Sequence, residues 1–127
     1  METYIIKGTH KTPSIHFDAV AGILEIQGRS IHENPYEFYQ PLVDFLSKHS
    51  VATLPTCEVT INLEYFSTSS SRCLFMILKK LREINGAGAS VKVKWLYEEG
   101  DDEMRESGEE FHELLEIPFE LIQTKRQ

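Results

Sequence analysis

Five consecutive hydroxyl residues, Ser67 to Ser71, form the most unusual local chemistry of the chain. They stand between an alternating apolar run that predicts a strand ending near Phe66 and a helically spaced run that is under way by Cys73. The cluster should therefore occupy a strand-to-helix turn and the first helical turn. A Ser or Thr side chain at this place caps one free backbone N–H group, which is worth about 1 kcal/mol. One cap explains one hydroxyl but not five.

The same free N–H groups and the helix dipole favour an anion at this turn. A phosphate ester on Thr68 or Ser69 would meet backbone donors, and Arg72 stands one helical turn away as a partner for it. Modification would add a charge of about −1.5 to −2 at neutral pH, which a protein docking on the turn would feel strongly. The residues alone favour a cap-rich turn over a phosphorylation switch, because Ser and Thr are ordinary capping residues.

A third interpretation is a small enzyme in which Thr68 or Ser69 is the nucleophile. Such a hydroxyl needs a pocket that holds a base, His32 or another, within hydrogen-bond reach. The chain has no G-x-S-x-G, G-x-G-x-x-G or G-x-x-x-x-G-K-[ST] motif and no paired histidines with metal-binding spacing. Cys57 and Cys73 stand in apolar stretches that predict buried, reduced thiols. We therefore expect no catalysis, no cofactor and no metal.

The composition is that of one soluble globular domain, with 127 residues, 41% hydrophobic and 26% charged. A formal net charge of −7 opposes binding to nucleic-acid phosphates, which requires a basic face. No apolar run is long enough to span a bilayer, and the segment METYIIKGTH lacks the apolar core of a signal peptide. We expect a cytoplasmic protein that binds other proteins, with no membrane insertion.

Apolar spacing predicts the element order β-β-β-α-β-α-β-α-β, which is typical of an α/β layered domain with crossover connections. Residues 12–28 should form a hairpin that turns at Ala21-Gly22, with Ile15 and Phe17 on one arm and Ile23, Leu24 and Ile26 on the other. In the strand at 57–66, Tyr65 is expected on the apolar side. The third, acidic helix should begin at Asp101 or Asp102, and its inner face should carry Met104, Gly108, Phe111 and Leu115.

The first helix should begin at Asn34, a good N-cap. Pro35 follows at the first helical position, and Glu37 stands where a capping-box acid reaches back. Pro41 conflicts with this assignment, because an interior proline removes a backbone hydrogen bond. Either the helix bends at Pro41 or its regular part begins later.

Five segments in this order and spacing resemble the SiaC family of bacterial regulatory phosphoproteins: GTHKTPSI (8–15), GILEIQGRSIHENPYEFYQPL (22–42), INLEYFSTSSS (61–71), VKVKWLYEEGDDEM (91–104) and PFELI (118–122). The resemblance covers essentially the whole chain. It implies that residues 1–127 form one STAS-like domain, with a mixed β-sheet, an N-terminal hairpin and about three helices.

The resemblance also implies a partner-switching cycle. A kinase of the SiaB type would phosphorylate Thr68, and a PP2C-like phosphatase of the SiaA type would remove the phosphate. The unphosphorylated form would bind and activate a GGDEF diguanylate cyclase of the SiaD type, which raises cyclic di-GMP and promotes aggregation and biofilm. The family commonly has Asn before the threonine where this chain has Ser67, so Ser67 is a secondary acceptor candidate together with Ser69.

The partner-binding surface implied by these segments combines the hydroxyl turn with the polar loop before the first helix. Its candidate residues are Ser67, Thr68, Ser69, Ser70, Arg72, His32, Glu33 and Asn34. A STAS-type antagonist of an anti-sigma factor, acting in a stress-response partner switch, is the alternative function. The neighbouring genes would separate the two, because a GGDEF protein favours the first and a sigma factor the second.

Overall fold

The predicted element order is confirmed by a computed structural model, which describes residues 3–49 and 54–125. The strands are β1 (Thr3–Ile6), β2 (Ser14–Asp18), β3 (Ile23–Ser30), β4 (Thr56–Phe66), β5 (Ser90–Glu98) and β6 (Phe119–Thr124). The helices are α1 (Pro35–Ser47), α2 (Thr68–Gly86) and α3 (Asp102–Leu115). The strands form one mixed sheet in sequence order, antiparallel from β1 to β3 and parallel from β3 to β6. The α/β class, the hairpin and the three helices are therefore as predicted.

The loops before α1 and α2 meet at the carboxyl edge of the sheet. Ser30 and Phe66, the last residues of the parallel strands β3 and β4, are paired in register. The backbone N–H of Ser67 continues this pairing and donates to the carbonyl oxygen of Ser30 at 2.9 Å. Ligand and partner sites of α/β sheets commonly lie at this edge, because successive helices begin there.

The sheet has one apolar face and one polar face. Alternate residues of β4, such as Val59 and Ile61, are buried in one core with the inner faces of the helices. The residues between them point to the other side, where Glu58 pairs with Lys94 of β5. Lys92 pairs there with Glu120 of β6. Alternation along a strand explains this division, since successive side chains point to opposite faces.

Two apolar side chains of the predicted strands, Ile23 and Tyr65, are exposed, although Tyr65 was expected on the apolar side. Ile23 follows the period of two and points away from Leu24, so it is 39% exposed on the polar face. Tyr65 is 52% exposed because the register of β3 and β4 shifts between Gly28 and Arg29, which leaves one extra residue in β4. A β-bulge of this kind changes the direction of the side chains beyond it.

The helix α1 begins at Pro35 and continues through Pro41, so the later start considered above is wrong. Pro41 cannot donate to the carbonyl of Glu37, but both residues are exposed and water can satisfy this carbonyl. No helix within the described ranges is long and apolar enough to cross a membrane.

Candidate functional site

The hydroxyl turn contains one true N-cap, and it is Ser67. Its side chain accepts a hydrogen bond from the backbone N–H of Ser70 at 3.1 Å. This contact satisfies one of the backbone donors that the first turn of α2 leaves free. Ser67 thus serves as the cap, a position at which Ser and Asn are about equally effective.

Ser70 is fully buried and ties α2 to the end of β3. Its hydroxyl donates to the carbonyl oxygen of Ser30 at 2.9 Å, and it accepts from the Ser30 hydroxyl at 2.8 Å. The Ser67 hydroxyl is a second donor to it, at 3.1 Å. Because Ser30 gives its proton to Ser70, the Tyr39 hydroxyl, 2.7 Å from Ser30, must be the donor in that pair.

This chain of hydroxyls couples α1 to α2 beneath the surface. Tyr39 lies on α1, and burial raises its pKa, which keeps it protonated as a donor. Ser70 was predicted to contact a partner, but in this conformation it is 0% exposed and has no surface to offer. Its position at the centre of the network assigns it to the support of the turn.

Thr68 and Ser69 are the hydroxyls that remain open to solvent. Neither side chain has a hydrogen-bond partner among residues 3–49 and 54–125. Each is therefore accessible to a modifying enzyme without the loss of a native contact. The described part of the chain also places no base within hydrogen-bond distance of either hydroxyl.

The first turn of α2 differs from those of the other two helices in its charge. Glu37 lies in the first turn of α1, and Asp102 and Glu103 lie in that of α3, but α2 has no acidic residue there. Carboxylates near a helix N-terminus offset the positive end of the dipole. Arg72, exposed one turn into α2, forms no ion pair within the described residues. The electrostatic environment of Thr68 therefore favours an added anion.

The loop before α1 is held by its own contacts. Asn34 caps α1 by accepting from the backbone N–H of Glu37 at 3.4 Å, and its amide donates to the Glu37 carboxylate at 3.2 Å, as predicted. His32 accepts from the backbone N–H of Asn34 through Nδ1 at 2.9 Å, and its ring stacks on Phe38. Glu33 is exposed. His32 thus shapes this loop and is not paired with a hydroxyl of the α2 turn.

An apolar groove beside the turn was not predicted from the sequence. It encloses about 570 Å³ between α2 and α3, and its lining residues are Tyr36, Ser71, Arg72, Phe75, Met76, Lys79, Ser107, Glu110, Phe111 and Leu114. The available signal was that Phe75, Met76 and Leu114 are apolar but fall outside the predicted inner faces of their helices. Such surplus apolar residues often mark a surface at which another molecule binds.

The chain was compared with known proteins by family and by structure. Residues 6–124 match the model of the SiaC family regulatory phosphoproteins. An uncharacterised protein of Pseudomonas aeruginosa strain UCBPP-PA14 is 34% identical over 116 residues, which are 91% of this chain and 92% of the relative. The structure of SiaC of Pseudomonas aeruginosa superposes with a TM-score of 0.84 at 33% identity, covering 98% of this chain and 100% of that one.

A second solved structure adds a binding partner to this similarity. It is the crystal structure of the diguanylate cyclase SiaD in complex with its activator SiaC, also from Pseudomonas aeruginosa. One of its chains matches with a TM-score of 0.84 and 33% identity over 95% of this chain and 99% of that one. The family match covers nearly all of the sequence, and the structural match covers nearly all of the fold. The chain belongs to the SiaC family of regulatory phosphoproteins.

Proposed function

We propose that this chain is a non-enzymatic regulator that binds and activates a GGDEF diguanylate cyclase in its unphosphorylated form. A phosphate on Thr68 ends this binding, and its removal restores it. The main support is the Thr68 hydroxyl itself, which is exposed and has no hydrogen-bond partner among residues 3–49 and 54–125. It stands at the start of a helix with no acidic residue in its first turn. The similarity to SiaC, which has been crystallised with the cyclase that it activates, supports the choice of partner.

The contacts of the turn favour Thr68 over the other acceptor candidates. The Ser67 hydroxyl caps α2 and donates to Ser70, so its phosphorylation would cost two native hydrogen bonds. Ser69 is also exposed and remains a secondary candidate. Thr68 combines exposure with the position that the family resemblance assigns to the phosphoacceptor.

The proposed partner surface is the rim of the carboxyl edge. It comprises the exposed or half-exposed side chains of Ser67, Thr68, Ser69, Arg72, His32, Glu33 and Asn34, with Ser70 now assigned to the buried support. Like charges brought together at a protein interface oppose binding, so a phosphate on this rim would repel an acidic partner surface. We assign the phosphorylation of Thr68 to a SiaB-type kinase and the removal of the phosphate to a PP2C-like phosphatase of the SiaA type. These proteins act in the cytoplasm together with the cyclase.

Paired substitutions at neighbouring positions test the proposal. Thr68→Ala should bind a cyclase from the same genome with wild-type affinity and should resist the kinase. Thr68→Glu should bind at least about tenfold more weakly, which corresponds to about 1.4 kcal/mol. Ser69→Glu is the matched control, because it adds the same charge to the next exposed residue and should weaken binding less. Isothermal titration calorimetry with purified proteins gives the affinities of the wild type and the three variants for the cyclase.

Wild-type affinity for Thr68→Glu would contradict the proposed switch. Wild-type protein that binds no diguanylate cyclase but captures an anti-sigma kinase would replace the cyclase with the STAS-type alternative. Either result is clear only if circular dichroism shows that each variant is folded.

A further inference from the structure

We propose that Tyr39, a buried residue of α1, is a positioning residue that withholds the Ser67 hydroxyl from phosphorylation and leaves Thr68 as the favoured acceptor. This inference rests on the proposed function and deepens it, because it concerns the choice between neighbouring hydroxyls of one turn. Ser67 is half-exposed and Thr68 is exposed, so accessibility alone separates them only in part. The hydrogen bonds beneath the turn complete the separation.

The hydroxyl network beneath the turn has one direction, and Tyr39 is its first donor. The Ser30 hydroxyl gives its own proton to Ser70 at 2.8 Å, so the Tyr39 phenol donates to Ser30 at 2.7 Å. Ser70 then donates to the carbonyl oxygen of Ser30 at 2.9 Å. All three residues are at most 1% exposed, so bulk water does not reach them to replace a missing hydroxyl.

The ring of Tyr39 is held in place by its neighbours on α1. It meets the ring of Phe38 edge to face, with centroids 4.9 Å apart and planes at 87°. Phe38 stacks in turn on His32, which shapes the loop before α1. A ring that is buried and fixed in this way directs its hydroxyl to one acceptor, the Ser30 side chain.

The other end of the network holds the Ser67 hydroxyl. Ser67 donates to the Ser70 hydroxyl at 3.1 Å and accepts from the backbone N–H of Ser70, also at 3.1 Å. The Ser70 side chain is fixed in turn by its two bonds to Ser30. Loss of the Tyr39 phenol would leave Ser30 short of a donor at a buried position and would weaken the bonds that follow it. The contacts between Ser67 and Ser70 would then open more often.

Phosphorylation of Ser67 requires this opening. Its Oγ must leave both contacts with Ser70 before it can attack the γ-phosphorus of a nucleoside triphosphate. The Oγ–P bond then forms as the bond to the departing nucleoside diphosphate breaks, and the hydroxyl proton passes to solvent. Thr68 needs no opening, because its hydroxyl has no partner among residues 3–49 and 54–125. The share of phosphate on Ser67 should therefore follow the frequency of local opening.

Amide hydrogen exchange, followed by NMR, measures this opening. The backbone N–H of Ser70 donates to Ser67 Oγ, so the event that frees the hydroxyl also exposes this N–H. Tyr39→Phe should accelerate exchange at Ser70 about two- to tenfold, the range expected for one buried hydrogen bond. Tyr4→Phe is the matched control. It removes the hydroxyl of a half-buried tyrosine of β1 that has no hydrogen bond in the described part of the chain, and it should leave this rate unchanged.

Phosphopeptide mass spectrometry measures the choice of acceptor after treatment with the kinase that modifies the wild-type protein. The ratio of phosphate on Ser67 to phosphate on Thr68 should rise in Tyr39→Phe by the same factor as the exchange rate at Ser70. Ile77→Val removes a methyl group from the buried face of the same helix and should lower stability without changing this ratio. This control separates positioning of the turn from a general loss of stability.

Ser30→Ala tests whether Tyr39 acts through Ser30. It should accelerate exchange at Ser70 at least as much as Tyr39→Phe does, because it removes the hydroxyl that lies between the two residues. The double variant should exchange no faster than Ser30→Ala alone, since the phenol would have no partner left to position. Additive effects of the two substitutions would overturn this pathway.

The outcomes separate this inference from the proposed function. Unchanged exchange at Ser70 in Tyr39→Phe would overturn the inference, whether or not Thr68 is a switch. Faster exchange with phosphate still confined to Thr68 would overturn it as well, because the network would then hold the turn without selecting the acceptor. If Ser67 gains phosphate as expected while Thr68→Glu binds the cyclase normally, the inference stands and the switch is wrong. A wild-type protein that takes no phosphate on Thr68 would contradict both.

Discussion

The hydroxyl of Ser70 has three hydrogen-bond contacts, whereas that of Thr68, two residues earlier, has none in the described part of the chain. Position on the first helical turn explains the difference. Ser70 points inward against the end of β3, and Thr68 points into solvent. Within one run of hydroxyl residues, Ser70 thus supports the turn and Thr68 is accessible from solvent.

Removal of the buried hydroxyl should cost far more stability than removal of an exposed one. Ser70→Ala would leave the hydroxyl protons of Ser30 and Ser67 without their acceptor and should lower the free energy of unfolding by about 1–3 kcal/mol. Ser69→Ala makes the same chemical change at an exposed position and should stay within about 0.5 kcal/mol of wild type. Urea denaturation measures both. Equal losses in the free energy of unfolding would show that the hydrogen bonds of the Ser70 hydroxyl do not stabilise the turn.

Alkaline pH should destabilise the fold through Cys57. Burial raises the pKa of this thiol from 9.0 to about 12, so the folded state favours the protonated form. The stabilisation is complete below pH 9 and is lost as pH rises towards 12, by about 1.4 kcal/mol for each pH unit in that range. Between pH 8 and pH 10 the free energy of unfolding, measured with denaturant, should therefore fall less for Cys57→Ala than for the wild type. The same loss in both would exclude this thiol as the cause.

The sequence could predict a cap at the turn, because N-capping depends on residues three apart. It could not identify Ser70 as buried, because the partner of Ser70 is Ser30, forty residues earlier in the chain. Only the pairing of β3 with β4 brings these two serines together. For the same reason Ser70 was included in the predicted partner surface although its side chain is buried.

At the scale of elements, the first turn of α2 has no acidic residue to offset the positive end of the helix dipole. We therefore predict that negative charge at Thr68 stabilises the fold. Thr68→Glu should raise the free energy of unfolding by about 0.3–1 kcal/mol at low ionic strength, and salt should reduce the gain. Thr68→Gln is the neutral control of similar size. Thermal unfolding at two salt concentrations measures the effect. A destabilised Thr68→Glu protein would mean that lost binding could reflect unfolding of the turn.

The helix α3 packs on the sheet through a glycine. A Cβ atom added to Gly108 would lie 2.5 Å from Cδ1 and 2.8 Å from Nε1 of Trp95, whose indole donates to the Met104 carbonyl. Gly108→Ala should therefore destabilise the fold by about 1–3 kcal/mol despite the better helix propensity of alanine. Gly86→Ala, where no atom lies within 4 Å, should be neutral or stabilising. Unfolding followed by the fluorescence of Trp95 compares them, and equal stabilities would contradict the close packing of α3.

Periodicity was sufficient to predict the order of the strands and helices, since their apolar faces are regular. It failed for Tyr65 because the β-bulge arises from the pairing of two strands and has no period of its own. The groove was missed for a related reason. Its lining comes from α1, α2 and α3 together, and no single helix pattern shows that their surplus apolar residues converge.

At the scale of the whole molecule, sequential strand order places the starts of all three helices along one edge of the sheet. The turn at Thr68 lies in the middle of this edge, between the His32–Asn34 loop and the acidic loop before α3. One modification there can therefore act on a surface built from several elements. The similarity to SiaC extends over 98% of the chain, so the whole fold, with this edge, is shared.

The most direct test of the account is cyclic di-GMP synthesis by the cyclase in the presence of this protein in its two states. Protein phosphorylated at Thr68, with the site verified by mass spectrometry, should fail to stimulate synthesis. The same sample after phosphatase treatment should stimulate it as fully as protein that was never modified, and Thr68→Ala should stimulate it throughout. Equal stimulation by the phosphorylated and dephosphorylated forms would contradict a switch at Thr68.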